Sequence, residues 1–85
     1  MFIVYVLYSD LHDRIYTGQT NDVDKRLARH NFGQVQSTKP YRPGRIIYCE
    51  RFINRSEAMK REKFFKCGKG RDFLRRIKGV ILATK

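Results

Sequence analysis

Cysteine is scarce in this chain. Cys49 and Cys67 are the only two, and they form no CxxC pair. Two thiols are too few for a structural zinc framework, so any metal site must be built from oxygen ligands. Both read as reduced, partly buried side chains of a cytoplasmic protein. Long apolar runs are missing as well. The longest one without a charge, residues 1–9, falls far short of the roughly 20 residues that cross a bilayer. It also lacks the basic segment that opens a signal peptide. A membrane partner is therefore not expected. Acidic residues are few: eight Asp plus Glu stand against 19 Lys plus Arg, a net charge of +11 with a pI near 10.2. Such an excess repels itself in a compact fold unless a polyanion neutralises it, and nucleic acid is the usual one.

What is present is enough for one small core. Apolar residues make up 41% of the chain, with six Phe and five Tyr among them, which argues against disorder. A chain of 85 residues forms a single domain, residues 1–85, with no room for a second.

Residues 2–8 are a continuous β-branched and aromatic run, as expected for a central strand covered on both faces. A turn over residues 9–13 leads into a second strand over 14–17, ended by Gly18. Asn21 is placed to cap a helix that runs to about His30, with Val23 and Leu27 inward and Gly33 beyond its end. Residues 33–44, punctuated by Pro40, Pro43 and Gly44, read as loop, and residues 45–52 as a third strand. Asn54 and Glu57 match a capping box for a helix reaching about Cys67, broken by Gly68 and Gly70. A last basic helix covers residues 72–78 and stops at Gly79. The order β-β-α-β-α-α predicts an α+β fold, a small three-stranded antiparallel sheet flanked by helices.

One residue sits badly with packing alone. On a helical wheel Ala58, Met59 and Phe65 all fall within about 60° of Glu62, so a carboxylate lies in the stripe expected to face the core. Buried carboxylates are paired, neutralised or bound to metal. With so many cations at hand, a Lys or Arg partner is the plain alternative to a metal. Arg26 lies about 60° from Val23, at the shoulder of the first helix's inward stripe, and His30 shares that side four residues on. An Arg so placed can reach a cleft while its stem packs, or simply snorkel to solvent. Tyr5 and Tyr16 on the two strands fit ordinary strand packing equally well.

The order and spacing of these residues resemble the GIY-YIG nuclease domain. The resemblance rests on Ile3-Val4-Tyr5, then Tyr16-Thr17-Gly18, then the helix carrying Arg26 and His30. It ends on the stretch from Ala58 through Glu62 to Lys66, which is similar to the later helix of small stand-alone members. It covers roughly residues 2–75. The first tripeptide departs from the family pattern in its first two residues, and no Asn follows Asn54.

The resemblance implies an endonuclease that hydrolyses phosphodiester bonds, DNA being the expected substrate, with one Mg²⁺ or Mn²⁺ ion. It implies Glu62 as metal ligand, Arg26 as donor to the phosphate, and Tyr5, with Tyr16 beside it, as the group that positions or deprotonates water. It places His30 in support. Gly18 is expected to let the substrate approach the backbone. Lys25, Arg29, Lys39, Arg42, Lys63 and Lys66 are the expected phosphate contacts, with Arg45, Lys60 and Arg61 as further candidates. So small a domain leaves room for a protein partner that supplies specificity. The two departures motivate an alternative, a non-catalytic basic nucleic-acid-binding module on the same scaffold.

Overall fold

In the computed structural model, which describes residues 1–83, β1 (Phe2–Ser9) is the middle strand of a sheet ordered β2-β1-β3. It pairs antiparallel with β2 (Arg14–Thr20) on one side and β3 (Arg45–Phe52) on the other. That position explains the uninterrupted apolar run. Successive side chains alternate between faces, and both faces of β1 are covered. Val4 and Val6 join Ala58, Phe65 and Leu74 in one core. Tyr5 and Leu7 point the other way, toward His30 and Gly44.

The helices are α1 (Val23–Asn31), α2 (Arg55–Phe65) and α3 (Gly68–Ala83). The α+β class and the β-β-α-β-α-α order are as the sequence predicts. Asn54 caps α2 as expected, its Oδ1 accepting from the Glu57 N–H at 2.9 Å. The Glu57 carboxylate leans toward Lys60, 3.8 Å away.

Several boundaries differ from expectation. β2 does not stop at Gly18, because β1 offers pairing partners further on: Tyr5 opposes Gly18, Val4 opposes Gln19 and Ile3 opposes Thr20. The turn into α1 therefore shifts, and Asp22 rather than Asn21 is the N-cap. Its Oδ1 accepts from the Lys25 N–H at 3.1 Å, and its own N–H donates to the Thr20 hydroxyl. The loop contains a short 3₁₀ turn, Lys39–Tyr41. Both loop ends are pinned by Asn31, whose side chain accepts from the Gly44 N–H and donates to its carbonyl.

Neither Gly68 nor Gly70 interrupts a helix. The break falls at Lys66–Cys67, and both glycines lie in the first turn of α3. Gly70 is required there, since a Cβ would lie 1.9 Å from the Phe64 carbonyl oxygen. That contact lets α3 fold back against α2. Gly79 lies inside α3 with open space around it, so it lowers helix propensity by about 1 kcal/mol without ending the helix. Cys49 and Cys67 are exposed rather than partly buried. Cys49 lies on edge strand β3, and Cys67 in the α2–α3 turn, where its thiol reaches the Lys63 carbonyl.

The buried face of α2 is also rotated from the expected one. Met59 is 45% exposed. Arg61 turns inward on the other flank, its guanidinium 4.6 Å from the ring centre of Phe65 and 4.8 Å from that of Phe64. The Arg61 Nε donates to Glu50 at 2.7 Å, and Glu50 also accepts from the Tyr48 hydroxyl. Burial raises the Glu50 carboxyl, but these bonds outweigh it and hold it below the usual carboxylate range. Arg61 is therefore part of the packing between β3, α2 and α3.

Candidate active site

Rotating α2 moves Glu62 from the middle of the buried stripe to its edge, where its side chain is 21% exposed. The Lys66 ammonium, one turn on, donates to Glu62 Oε2 at 2.8 Å. Glu62 thus has the lysine partner that is the plain alternative to a metal, and it borders the site.

At the centre of that site stands Tyr5, 1% exposed, its hydroxyl 2.8 Å from Nε2 of His30. The pleat of β1 aims the ring at α1, and Gly18 across the strand pair makes room for it. A Cβ on Gly18 would lie 2.6 Å from the Tyr5 hydroxyl oxygen. Gly18, expected to admit the substrate, is buried, and the group that approaches it closely is the Tyr5 phenol. Tyr16, also on β2, packs its ring 5.1 Å from the His30 ring centre and 6.4 Å from that of Tyr5.

His30, fully buried at the end of α1, is held from behind. Its Nδ1 lies 2.7 Å from the Thr38 hydroxyl, which donates its own proton to the Val35 carbonyl. The hydroxyl lies 3.3 Å from that carbonyl, and the tautomer compatible with both of its contacts has Nδ1–H of His30 donating to Thr38. Nε2 is then the acceptor, and the Tyr5 hydroxyl is the donor.

Charge converges on the same point. Burial, then the neighbouring Tyr16, push the Tyr5 phenol well above its ordinary value of 10.0, with Glu62 adding to the rise. Arg26 and Arg29 pull it down. Burial lowers His30 from its ordinary 6.5, and Arg26 and Arg29 lower it further. Tyr5, Tyr16, Arg26, His30 and Glu62 are thus gathered from four elements into one electrostatic neighbourhood, with Arg29 beside them.

The remaining expected contacts are dispersed. Lys25 and Lys63 are exposed on α1 and α2. Lys39 and Arg42 lie on the loop, where the Arg42 Nε donates to the Lys39 carbonyl. Arg45 is engaged by Asp10 at 2.7 Å. Two residues escaped the sequence reading. Thr38 orients His30 from eight positions away, and no sequence pattern announces it. Arg55 lines a cleft of about 220 Å³ together with Arg26, Gln19 and Thr20. A signal for it existed: Arg55 precedes Glu62 by seven residues and so shares its helix face.

Among the described residues, no group of three or more His, Cys, Asp or Glu converges into a cage for a metal. The donor set suits an ion that keeps most of its water and takes one carboxylate, as Mg²⁺ does.

Comparison with known proteins identifies the family. The family model for the GIY-YIG catalytic domain matches residues 1–78. A UPF0213 protein of Pediococcus acidilactici is 38% identical over 98% of this chain and 89% of its own length. One from Staphylococcus aureus is 40% identical over 91% of this chain and 93% of its own. The solution structure of the UPF0213 protein BH0048 from Bacillus halodurans is similar over the whole chain and 86% of its own, with 31% identity and a TM-score of 0.50. With the family model matching residues 1–78 of the 85, this chain belongs to the GIY-YIG catalytic domain family, a nuclease-type family.

Proposed function

We propose that the protein is an endonuclease that hydrolyses phosphodiester bonds of DNA with one divalent ion held at Glu62. The observation that supports this reading is the Tyr5–His30 hydrogen bond, taken with Tyr5 as donor, the direction compatible with the Thr38 contacts. A phenol held this way does not need to lose its proton in the resting site, where burial opposes the phenolate. Its oxygen accepts a hydrogen bond from the attacking water. As that water's proton moves to the Tyr5 oxygen, the phenol proton passes to His30 Nε2. No net phenolate forms, and the positive charge arrives on an imidazole held in place by Thr38.

Arg26 donates to the non-bridging oxygens, where its planar fork matches the charge that develops in the transition state. Arg26 also opposes a second positive charge on His30, which favours return of the proton once the bond has broken. Glu62 supplies one carboxylate oxygen to Mg²⁺ or Mn²⁺, in place of its bond to Lys66. The ion, when bound, polarises the phosphoryl group and stabilises the leaving oxygen. An exposed lysine pair of this kind contributes roughly 0–1 kcal/mol, so its displacement is a small barrier.

The test is a panel of branched, flapped, single-stranded and duplex DNA, with the matching RNA, incubated in Mg²⁺ or Mn²⁺ with wild type, Glu62→Ala and Arg26→Ala. Metal-dependent cleavage by wild type that both variants lose is the expected result. Cleavage that survives both substitutions overturns the proposal. The Glu62–Lys66 pair also favours a second reading, a binding module that uses no metal. Selective broadening of signals around Glu62 during a Mn²⁺ titration excludes that reading.

A further inference from the structure

A second groove adjoins the site and shares Tyr16 and Lys66 with it. It encloses about 540 Å³ between the start of β2 and the α2–α3 corner. Ile15, Phe65 and Leu74 contribute apolar surface, and the cations lining it are Arg14, Lys66, Arg71, Arg75 and Lys78. Asp13 is the sole carboxylate among the described residues that line it. Asp13 is already occupied, accepting from the Lys78 ammonium at 3.0 Å and from the Tyr8 hydroxyl at 2.9 Å. Arg75 is paired with Asp72 at 2.9 Å, Lys78 with Asp13 and Lys66 with Glu62, while Arg71 pairs with no carboxylate among the described residues. Five cations against one lining carboxylate leave the groove positive.

The cations are arranged, not scattered. Arg71, Arg75 and Lys78 fall within about 60° of one another on α3, a spacing that forms one stripe along the helix. Arg76 stands about 140° from Arg71 and lines a different, apolar cleft with Phe73 and Ile77. Tyr16 belongs to the groove as well as to the Tyr5–His30 cluster, and Lys66 joins it to Glu62. At the other end of β2, Gln19 and Thr20 meet Arg26 and Arg55. Because β2 is an edge strand, a track follows it from Thr20 to Arg14. The track is about 20 Å long at roughly 3.3 Å per residue.

We infer that the β2–α3 groove binds one strand of the nucleic-acid backbone beyond the cleaved bond, with Arg71, Arg75 and Lys78 as its phosphate contacts. The substrate strand then lies along β2. One of its phosphates faces Glu62, its flank on one side meets Arg26 and Arg55, and its flank on the other meets the α3 stripe. An acidic peptide could satisfy the same charges, but the groove shares its Tyr16 wall with a site suited to phosphodiester chemistry. This inference rests on the endonuclease reading.

The experiment compares wild type, Arg71→Gln, Arg71→Gln with Arg75→Gln, and a control of equal charge loss, Arg51→Gln with Arg76→Gln. Arg71 is exposed and without a carboxylate partner, so its single substitution does not threaten the fold. Binding of a fluorescent single-stranded DNA and of a duplex is measured across salt concentrations without divalent metal. Each lost phosphate contact lowers the salt slope by about 0.7 on single strands and 0.9 on duplex. The groove double variant is expected to lose about twice that. The control is expected to retain the wild-type slope. Equal slopes for the two double variants, or a wild-type slope in the groove variant, overturn the groove while leaving the nuclease reading intact. A wild type that neither binds nor cleaves overturns both.

Discussion

The Tyr5 hydroxyl donates to Nε2 of His30 across 2.8 Å, and this bond joins the central strand to the end of α1 inside the site. The direction of that bond is tied to what Thr38 does on the far side of the ring. With Thr38 accepting from Nδ1, the arrangement compatible with its contact to Val35, Nε2 has only the acceptor role. A phenol whose proton already has a destination can relay a proton without first becoming an anion. That matters here because burial makes the Tyr5 anion costly.

Thr38→Val keeps the shape of the side chain and removes the acceptor. The buried Nδ1–H of His30 is then unsatisfied, which costs about 1–3 kcal/mol. Denaturant unfolding should register that loss. Cleavage should slow by about tenfold or more, as His30 is no longer held in the accepting tautomer. Wild-type cleavage by a destabilised Thr38→Val would disconnect the tautomer from the chemistry.

The pH dependence has a definite sign. His30 titrates below its ordinary 6.5 in the folded protein, because burial and then Arg26 and Arg29 disfavour the imidazolium. Above 6.5 both folded and unfolded chains hold it neutral, and its contribution to stability is complete. As pH falls from there through the folded value, the unfolded chain takes up a proton first and that contribution is lost. Single-turnover cleavage should therefore show an acid limb centred below 6.5. Tyr5, raised above 10.0, should add no alkaline limb at neutral to mildly basic pH. An acid limb centred above 7 would remove His30 as the acceptor (its shift, by direction, runs the other way).

How much of this was legible in the sequence depends on whether the deciding contact was local. The apolar run of β1, the Asn54 cap and the three-strand, three-helix order are local patterns, and they read correctly. The grouping of Tyr5, Tyr16, Arg26, His30 and Glu62 was legible only because their order resembles a family; the separate residues had ordinary packing explanations. Contacts set by the chain path were not legible. Thr38 reaches His30 because Asn31 pins both ends of the loop. Gly70 lies in a helix because the Phe64 carbonyl leaves no room for a side chain. The wheel for α2 identified the Ala58–Phe65 face but not which flank turns inward, and aromatic rings from α2 and α3 decided in favour of Arg61.

Gly18→Ala tests the room beneath Tyr5. The added methyl would lie 2.6 Å from the hydroxyl oxygen and 2.8 Å from the ring carbon that bears it, so the phenol must move. Displacing a reacting group by about 1 Å can cost roughly a hundredfold in rate. Cleavage by Gly18→Ala should fall to that extent, while binding of DNA without metal stays close to wild type, because Gly18 is buried. A variant that binds poorly but cleaves at the normal rate when saturated would assign Gly18 to the substrate surface instead.

Arg61 offers the contrast to a phosphate-binding cation. Its guanidinium is bound to Glu50 through Nε and a terminal nitrogen, at 2.7 and 3.1 Å, and stacks over Phe65 at 4.6 Å. Arg61→Ala would leave a carboxylate that is only 18% exposed without its partner, and would open the aromatic layer. Full burial of such a pair would put the loss at several kcal/mol. With a third of Arg61 exposed, solvent screening brings the expected cost to about 1–3 kcal/mol. Chemical denaturation should show that loss, and the salt slope of DNA binding should not change, because this charge faces inward to Glu50. A stable Arg61→Ala whose slope falls by about 0.9 on duplex would return Arg61 to the nucleic-acid surface.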